Sequence, residues 1–265
     1  MKEYSFAYGK GAVSVPLDEH QVLGVLHGKE VAPLPDIRKA LWGSLDTPID
    51  SAPLRALAVP GQKIALVVSD VTRLWMRQDL VVPHLTAYLT EVCGVSPDDV
   101  TIVVANGTHR SGDEQELRTL VADAVFDRFR VENHDCEADD LVYLGTTAHD
   151  TPVWINHTVA TANLVVCLGA CVHHIMAGFG GGRKSILPGV SGLQTIRHNH
   201  AYSLDGARLR SNPAIGNGVL TGNPLHEDMC EAAAMVKNLF MVNLVMNAQM
   251  QLASIFSGHW LHSWE

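Results

Sequence analysis

The stretch Lys63-Ile64-Ala65-Leu66-Val67-Val68-Ser69 is a short apolar run that ends in a polar residue. Such a run is typical of a strand that is buried on both faces of a parallel sheet. Residues 99–105 and 163–168 repeat the pattern. The sequence therefore predicts that these three segments are buried strands of one sheet.

Amphipathic helices are predicted between the strands. Four apolar residues recur at spacings of four, three and four, which places them on one helical face: Val81, Leu85, Tyr88 and Val92. A further helix is predicted over 113–120, with Asp113 as its N-cap. Strands that alternate with helices at this spacing indicate βαβ units. The predicted fold is α/β, with a mostly parallel, Rossmann-like sheet flanked by helices.

Weaker patterns predict the remaining elements. Residues 4–16 alternate around Gly9-Lys10-Gly11 and predict an N-terminal β-hairpin, and Asp36 is a candidate N-cap for a helix over 35–44. Further strands are predicted at 128–131, 151–155, 239–245 and 251–256, and further helices at 193–202 and 223–236. No packing element is predicted at Ser263-Trp264-Glu265.

Composition limits the classes of function. The 265 residues carry a formal net charge of -9, which disfavours nucleic acid as a partner. No run of 18 apolar residues predicts a membrane span. The five scattered cysteines contain no CxxC pair and argue against a disulfide framework or a thiolate zinc site. Because no secretory leader is visible, a cytoplasmic location is expected.

Three polar clusters follow predicted strands. They cover residues 69–73, 106–110 and 173–185. Ligands of such sheets bind beyond the carboxyl ends of the strands. We therefore expect the three clusters to converge on one site, although they are distant in sequence.

The third cluster is rich in glycine. A nucleoside triphosphate loop requires glycine immediately before its lysine, and Arg183 occupies that position before Lys184. Glycines still allow backbone N–H groups to approach an anion, and Arg183 and Lys184 add positive charge. The pattern is consistent with an anion site or with an ordinary surface loop that carries a solvated Arg-Lys pair.

Histidines are candidates for proton transfer or metal binding. On the helix predicted over 193–202, only one of His198 and His200 can point at the site. His109 and His174 follow predicted strands and could form an acid/base pair, or they could be unrelated surface residues. Arg73, if it faces the same pocket, could bind a carboxylate through two parallel hydrogen bonds.

Taken together, these motifs resemble the lactate racemase family. They are D-x-T-R at 70–73, G-T-H-R at 107–110, H-x-x-A-G-F-x-G-G-x-K-x-I-x-P-G at 174–189, and the downstream His200. Members of that family use a nickel-pincer nucleotide cofactor to racemise or epimerise 2-hydroxy acids. The resemblance implies an isomerase with a small 2-hydroxy acid substrate, and cofactor-biosynthesis proteins as partners.

The resemblance also implies residue roles at the cofactor. Lys184 would carry the cofactor covalently through a thioamide, and His200 would complete the nickel coordination. Thr72, Gly181 and Gly182 would also contact the cofactor. Thioamide sulfur, the other pincer donors and one imidazole suit planar four-coordinate Ni(II).

At the substrate, the resemblance implies that the Cα hydride passes reversibly to the cofactor. His109 and His174 would handle the hydroxyl proton, one for each hydroxyl position. Arg73 would hold the carboxylate, and Asp70 would help to shape the substrate site. The protein would supply orientation and proton handling, while the cofactor supplies the hydride chemistry.

This sequence departs from the family at several positions. His173 stands where proline is usual, Gly180 where serine is common, and Leu74-Trp75 where proline often follows the arginine. Trp75 favours a larger or differently polar acid than lactate. Family members also continue into a second domain of roughly 150 residues. Residues 1–265 are therefore interpreted as the N-terminal cofactor-binding catalytic domain, which we expect to be inactive alone.

Two other functions fit part of the pattern. A zinc-dependent hydrolase could use His109, His174 and His200 as ligands with Asp70 as general base, but Lys184 would have no role. A small-anion binding module would explain the basic loop but not the histidines.

Overall fold

The computed structural model of the chain describes residues 1–9 and 11–265. These residues form two compact units, 1–31 and 32–265. The strands are β1 (Lys2–Tyr8), β2 (Gly11–Leu17), β3 (Ile64–Ser69), β4 (Val100–Ala105), β5 (Arg130–Asn133), β6 (Val142–Thr146), β7 (Pro152–Ile155), β8 (Leu164–Ala170), β9 (His173–His174), β10 (Gly178–Phe179), β11 (Leu204–Asp205), β12 (Arg210–Ser211), β13 (Leu239–Met246) and β14 (Leu252–His259).

The α-helices are α1 (Ile37–Asp46), α2 (Leu54–Leu57), α3 (Val82–Ala87), α4 (Glu114–Val121), α5 (Asp123–Phe126), α6 (His157–Thr161), α7 (Leu193–Ala201) and α8 (Pro224–Ala234). Short 3-10 turns cover Glu19–Gln21, Val71–Met76, Gln78–Leu80, Pro97–Asp99 and Gly182–Ser185, and a π turn covers Tyr88–Val92. Among the described residues, no helix is both long enough and apolar enough to cross a bilayer.

The first unit contains the predicted hairpin. Strands β1 and β2 pair antiparallel, with Lys2 opposite Leu17 and Tyr8 opposite Gly11. The predicted turn residue Lys10 lies outside the described residues. A 3-10 turn follows, and the Asp18 side chain caps it by accepting a hydrogen bond from the His20 N–H.

The second unit is built on a six-stranded sheet in the order β14-β13-β8-β3-β4-β5. All neighbours are parallel except the edge strand β14, which runs antiparallel to β13. The first five residues of β3 are buried, as expected for a strand covered on both faces. The predicted α/β fold with a mostly parallel sheet is confirmed.

Alternate residues of β3 enter different hydrophobic clusters. Leu66 and Val68 pack in the cluster that contains residues of α1, α3 and α4. Ala65 and Val67 pack in the cluster that contains residues of α6, α7 and α8. Because successive side chains of a strand point to opposite faces, this division shows that helices cover both sides of the sheet.

One sequence prediction is corrected, and another is confirmed in a separate sheet. Val92 is exposed rather than buried, because the π turn over Tyr88–Val92 changes the phase of the helix and Cys93 is buried in its place. The strand predicted at 151–155 forms β7, but it pairs antiparallel with β6 in a separate two-stranded sheet.

The prediction that Ser263-Trp264-Glu265 contains no packing element is wrong. After β14 the backbone turns, with Ser263 N–H donating to His259 O, and Trp264 is buried. Its Nε1 donates a 2.7 Å hydrogen bond to the carbonyl of Gly180. This contact joins two residues that are 84 positions apart in the chain. A single long-range contact of this kind leaves no periodic pattern in the sequence.

Candidate active site

A cavity of about 210 Å³ lies beyond the carboxyl ends of β3, β4 and β8. One side, the Asp70 wall, is formed by side chains from the segments 69–76 and 105–109. The other, the glycine-rich wall, is formed by residues from the segment 172–185, and His200 of α7 also lines the cavity. The three predicted polar clusters therefore converge, because neighbouring parallel strands end at one edge of the sheet.

Asp70 organises the first wall. Its carboxylate is nearly inaccessible to solvent and caps the 3-10 turn over Val71–Met76 by accepting from the N–H of Thr72. The same oxygen accepts from Thr72 Oγ1 at 2.6 Å, and the other oxygen lies 2.5 Å from His109 Nδ1. Because an ionised carboxylate only accepts hydrogen bonds, Nδ1 of His109 carries the proton. Nε2 is then the atom that can accept a proton.

Arg73 lies next to this pair and lines the cavity. One guanidinium nitrogen donates to Thr72 Oγ1 at 2.8 Å. No carboxylate among the described residues forms an ion pair with Arg73, so its remaining donors can bind an anionic ligand. Thr72 itself links Asp70 to Arg73 and does not line the cavity.

His174 on the glycine-rich wall has different partners. Its Nδ1 accepts hydrogen bonds from the backbone N–H groups of Met176 and Ala177, at 3.2 and 3.1 Å. The pKa of His174 is lowered to about 4, chiefly by burial and then by Lys184, Arg73, Arg183 and His200, in that order. The ring is therefore neutral at pH 7, with its proton on Nε2.

Lys184 stands beside this histidine. Its Nζ lies 3.4 Å from His174 Nε2, and the half-buried side chain lines the cavity. The pKa of Lys184 is lowered to about 7, chiefly by burial and then by the charges of Arg183 and Arg73. Among the described residues, none forms an ion pair with it. Near pH 7 a fraction of the amine is thus neutral, which is the nucleophilic form.

Arg183 does not contribute charge to the cavity surface, contrary to the anion-binding interpretation of the loop. The side chain is fully buried and donates to the carbonyls of Ala177 at 2.5 Å and Phe179 at 3.0 Å. The guanidinium carbon lies 4.0 Å from the centre of the Trp264 ring. Arg183 and Trp264 therefore hold the loop in place from behind the cavity.

The two glycines predicted at the cofactor occupy different positions. Gly181 lines the cavity, whereas Gly182 faces Trp264. Gly182 has φ +53°, and a Cβ there would lie 2.6 Å from the indole ring. Its N–H donates to Asn243 Oδ1 at 3.2 Å. Gly182 is thus required for packing, irrespective of any ligand.

Helix α7 presents one histidine of the H-x-H pair to the cavity, as its helical geometry predicted. His200 lines the cavity, whereas His198 interacts with Thr151 through Nδ1. Burial and then Lys184 lower the pKa of His200, while the backbone of Ile196 acts in the opposite direction. Its Nδ1 is enclosed, with no hydrogen bond of good geometry among the described residues. A neutral imidazole is the form that binds metals.

Comparisons with known proteins identify the family of the chain. The family profile of the lactate racemase N-terminal domain matches residues 8–211. Lactate racemase of Thermoanaerobacterium thermosaccharolyticum is 29% identical over 263 residues, which are 98% of this chain and 60% of the relative. Lactate racemase of Lactiplantibacillus plantarum is 29% identical over 255 residues, 95% of this chain and 58% of the relative.

Solved structures show the same fold. The lactate racemase apoprotein from T. thermosaccharolyticum superposes with a TM-score of 0.83 at 27% identity, over 99% of this chain and 60% of that one. A Thermotoga maritima protein has a TM-score of 0.66 at 19% identity, over 86% and 56% of the two chains, and shows the fold alone. This chain spans about 60% of the length of its curated relatives. From its matched motifs, its fold and its relatives, the chain belongs to the lactate racemase N-terminal domain family.

Proposed function

We propose that this chain is the cofactor-binding catalytic part of a racemase or epimerase of 2-hydroxy acids. The observation that carries the proposal is the state of Lys184. Its amine lines the cavity between cationic neighbours without an ion-pair partner, and its pKa lies at about 7. Such an amine suits covalent attachment of a cofactor.

The residues present fit a nickel-pincer nucleotide. Lys184 offers the amine for a thioamide, and His200 offers a neutral imidazole as a nickel ligand. When bound, this cofactor supplies the acceptor and donor of the Cα hydride. Gly181 lines the cavity where the group would lie. Thr72 supports the site indirectly by holding Arg73, and Gly182 does so by packing against Trp264.

The residues of the chain supply substrate binding and proton handling. Arg73 binds the carboxylate of the acid through its free guanidinium donors. His109 accepts the hydroxyl proton at Nε2, and the Asp70 carboxylate stabilises the imidazolium that forms. His174 donates its Nε2 proton in a hydrogen bond to the substrate oxygen.

In each direction the second histidine supplies the proton of the new hydroxyl, and the proton taken up by the first histidine returns to solvent. For the opposite enantiomer, His174 takes the hydroxyl proton. Nε2 must then be unprotonated, which moves the proton of the neutral ring to Nδ1. That change breaks the contacts of Nδ1 with the N–H groups of Met176 and Ala177. The two histidines thus share the reaction, but only His109 is already arranged as a base.

The cavity volume limits what this chain encloses. A small 2-hydroxy acid fits in about 210 Å³, whereas pockets that enclose a cofactor or drug-sized ligand measure about 300–1,000 Å³. A nucleotide would extend out of the cavity, and the reaction would remain open to water. We therefore propose that the 265-residue chain loads cofactor but does not turn over substrate; racemisation by this chain would contradict that.

The substrate is proposed to be larger or differently polar than lactate. Trp75 lines the cavity two residues after Arg73 and offers apolar surface to the side chain of a bound acid. Binding of 2-hydroxy acids to the loaded chain should strengthen from lactate to acids with larger side chains. If lactate binds more tightly than every larger acid, this assignment is wrong.

The attachment of the cofactor is tested by mass. The chain is produced together with the cofactor-synthesis proteins, and the intact protein, its peptides and its nickel and zinc content are measured. We expect an adduct on Lys184 with stoichiometric nickel, lost in Lys184→Ala and retained in the exposed control Lys237→Ala. His200→Gln should keep the adduct but lose nickel.

The same measurement separates the other functions. Zinc without an adduct, lost on substitution of His109, His174 or His200, would indicate a hydrolase. Neither metal nor adduct would leave a module that binds a small anion. Either result would overturn the racemase proposal.

A further inference from the structure

A second group of metal-ligating side chains lies outside the cavity. Asp50, His259 and His262 each offer one ligand atom, and these atoms all lie within 4.8 Å of one another. His262 Nδ1 is hydrogen-bonded to an Asp50 carboxylate oxygen, and the rings of His259 and His262 have centroids 4.5 Å apart. None of the three residues lines the cavity that contains Lys184.

The backbone brings these residues together. Ile49 forms an isolated bridge to β14: its N–H donates to Ser257 O at 2.8 Å, and its carbonyl accepts from the His259 N–H at 2.9 Å. Asp50 and His259 are therefore fixed beside each other. The turn closed by Ser263 N–H and His259 O brings His262 back alongside His259. These backbone contacts bring the three side chains together before any metal ion binds.

The chemistry of the group is that of a metal site. Two imidazoles and one carboxylate are a common ligand set for divalent first-row transition metals, with water filling the remaining positions. The side chains of Asp50 and His262 are 65% and 49% exposed, so an ion can reach them from solvent. A simple His-Asp hydrogen bond would need no third residue, whereas His259 completes a set of three ligands.

We propose that Asp50, His259 and His262 bind a divalent transition-metal ion of the zinc type. The ion links the turn after α1 to the turn after β14. Trp264, which supports the glycine-rich wall, lies two residues beyond His262. Metal binding therefore stiffens the segment that holds the loop of Lys184, independently of the reaction in the cavity.

The test uses the 265-residue chain without an affinity tag, stripped of metal. Zn²⁺ is titrated in competition with a chromophoric chelator, and Co²⁺ is added separately to record its visible absorption. We expect one zinc site whose affinity falls at least about tenfold in each of Asp50→Asn, His259→Gln and His262→Gln, since even loss of an outer hydrogen-bond partner costs about 10–100-fold. The cobalt absorption should disappear with it.

Two control variants identify the site. His157→Gln removes an exposed histidine elsewhere, and His200→Gln removes the proposed ligand in the cavity. Both should retain the zinc site. Binding that survives His259→Gln and His262→Gln, or that is lost in His200→Gln alone, would overturn the proposal, as would an absence of stoichiometric binding.

Thermal unfolding in the absence of metal checks that each variant folds. The side chains of Asp50 and His262 are largely exposed, so their variants should still fold. They therefore test the metal site even if His259→Gln unfolds. Zn²⁺ should raise the Tm of the original chain and of His157→Gln, because a ligand that binds only the folded state stabilises it. It should leave the Tm of His262→Gln unchanged; an equal rise there would contradict the assignment.

Discussion

Each wall of the cavity carries one histidine, and the hydrogen-bond partners of Nδ1 are opposite on the two walls: an acceptor at His109 and donors at His174. On the Asp70 wall, a buried carboxylate holds Nδ1 of His109 and leaves Nε2 as the proton acceptor. On the glycine-rich wall, backbone N–H groups hold Nδ1 of His174, and burial, followed by nearby cations, lowers its pKa to about 4. The comparison teaches that the hydrogen-bond partner of Nδ1, rather than residue identity, sets which nitrogen can act as a base.

The largest effect of the glycine-rich wall should be on the titration of Lys184. Reaction of its amine with cyanate should have a midpoint near pH 7, well below that of an ordinary lysine, with reactivity lost as pH falls through 7. The rate of modification of the 184 peptide, measured by mass against pH, checks this. In concentrated urea the midpoint should return to about 10.4. A folded-state midpoint above pH 9 would contradict the proposed environment.

The same shift carries a stability consequence. Because the pKa of Lys184 is lower in the folded state, the unfolded chain binds more protons between about pH 7 and 10.5. Lys184 therefore makes the free energy of unfolding rise with pH across that window. Lys184→Met should remove this contribution.

The glycine-rich wall should also depend on Trp264 more than the Asp70 wall depends on its own tryptophan. Trp264→Ala removes a buried ring, its contact with Arg183 and its hydrogen bond to Gly180. We expect the free energy of unfolding to fall by about 3–5 kcal/mol, measured by urea denaturation. Trp75→Ala, on the half-buried ring of the Asp70 wall, should cost less. Equal losses would mean that Trp264 is not a special support.

Gly182 offers a smaller change on the same wall. Gly182→Ala forces a side chain into a positive φ and against the Trp264 ring. We expect a loss of at least about 2 kcal/mol, since the left-handed conformation alone costs about 1–2 kcal/mol. Gly206→Ala, where a Cβ would meet open space, is the matched control and should be nearly neutral. Urea denaturation of both variants decides whether the close approach is real.

The smallest effect is the difference between the ring nitrogens that carry the proton in His109 and in His174. Long-range ¹H–¹⁵N NMR at about pH 8.5, where imidazole is ordinarily neutral, should show Nδ1–H for His109 and Nε2–H for His174. Asp70→Ala should give His109 a mixture of both forms and leave His174 unchanged. If both histidines carry the proton on the same nitrogen in the original chain, the contrast between the walls is wrong.

Much of the fold follows from periodic patterns. The apolar run at 63–69 predicts β3, and its parallel neighbours place residues 69–73 and 106–110 at one edge. Helical spacing also predicts that only one of His198 and His200 faces the cavity, and the family resemblance points to His200. These features repeat over several residues, so the sequence contains a signal for each of them.

Other features depend on single contacts and could not be predicted. The burial of Arg183 against Trp264 joins two residues that are distant in sequence and belong to no periodic pattern. The π turn over Tyr88–Val92 differs from an α-helix by one hydrogen-bond step. The proton positions of His109 and His174 depend on the atoms within about 3 Å of each ring, which only the structure supplies.

The contact between Trp264 and Gly180 also imposes an order on synthesis. The ribosome makes Trp264 84 residues after Gly180. At about 5–20 residues per second, that interval is roughly 4–17 s. For the last 80 residues of that interval the nascent chain already contains Lys184, in a loop whose supporting indole has not yet been made. Lys184 is therefore translated well before the side chain that packs behind its loop.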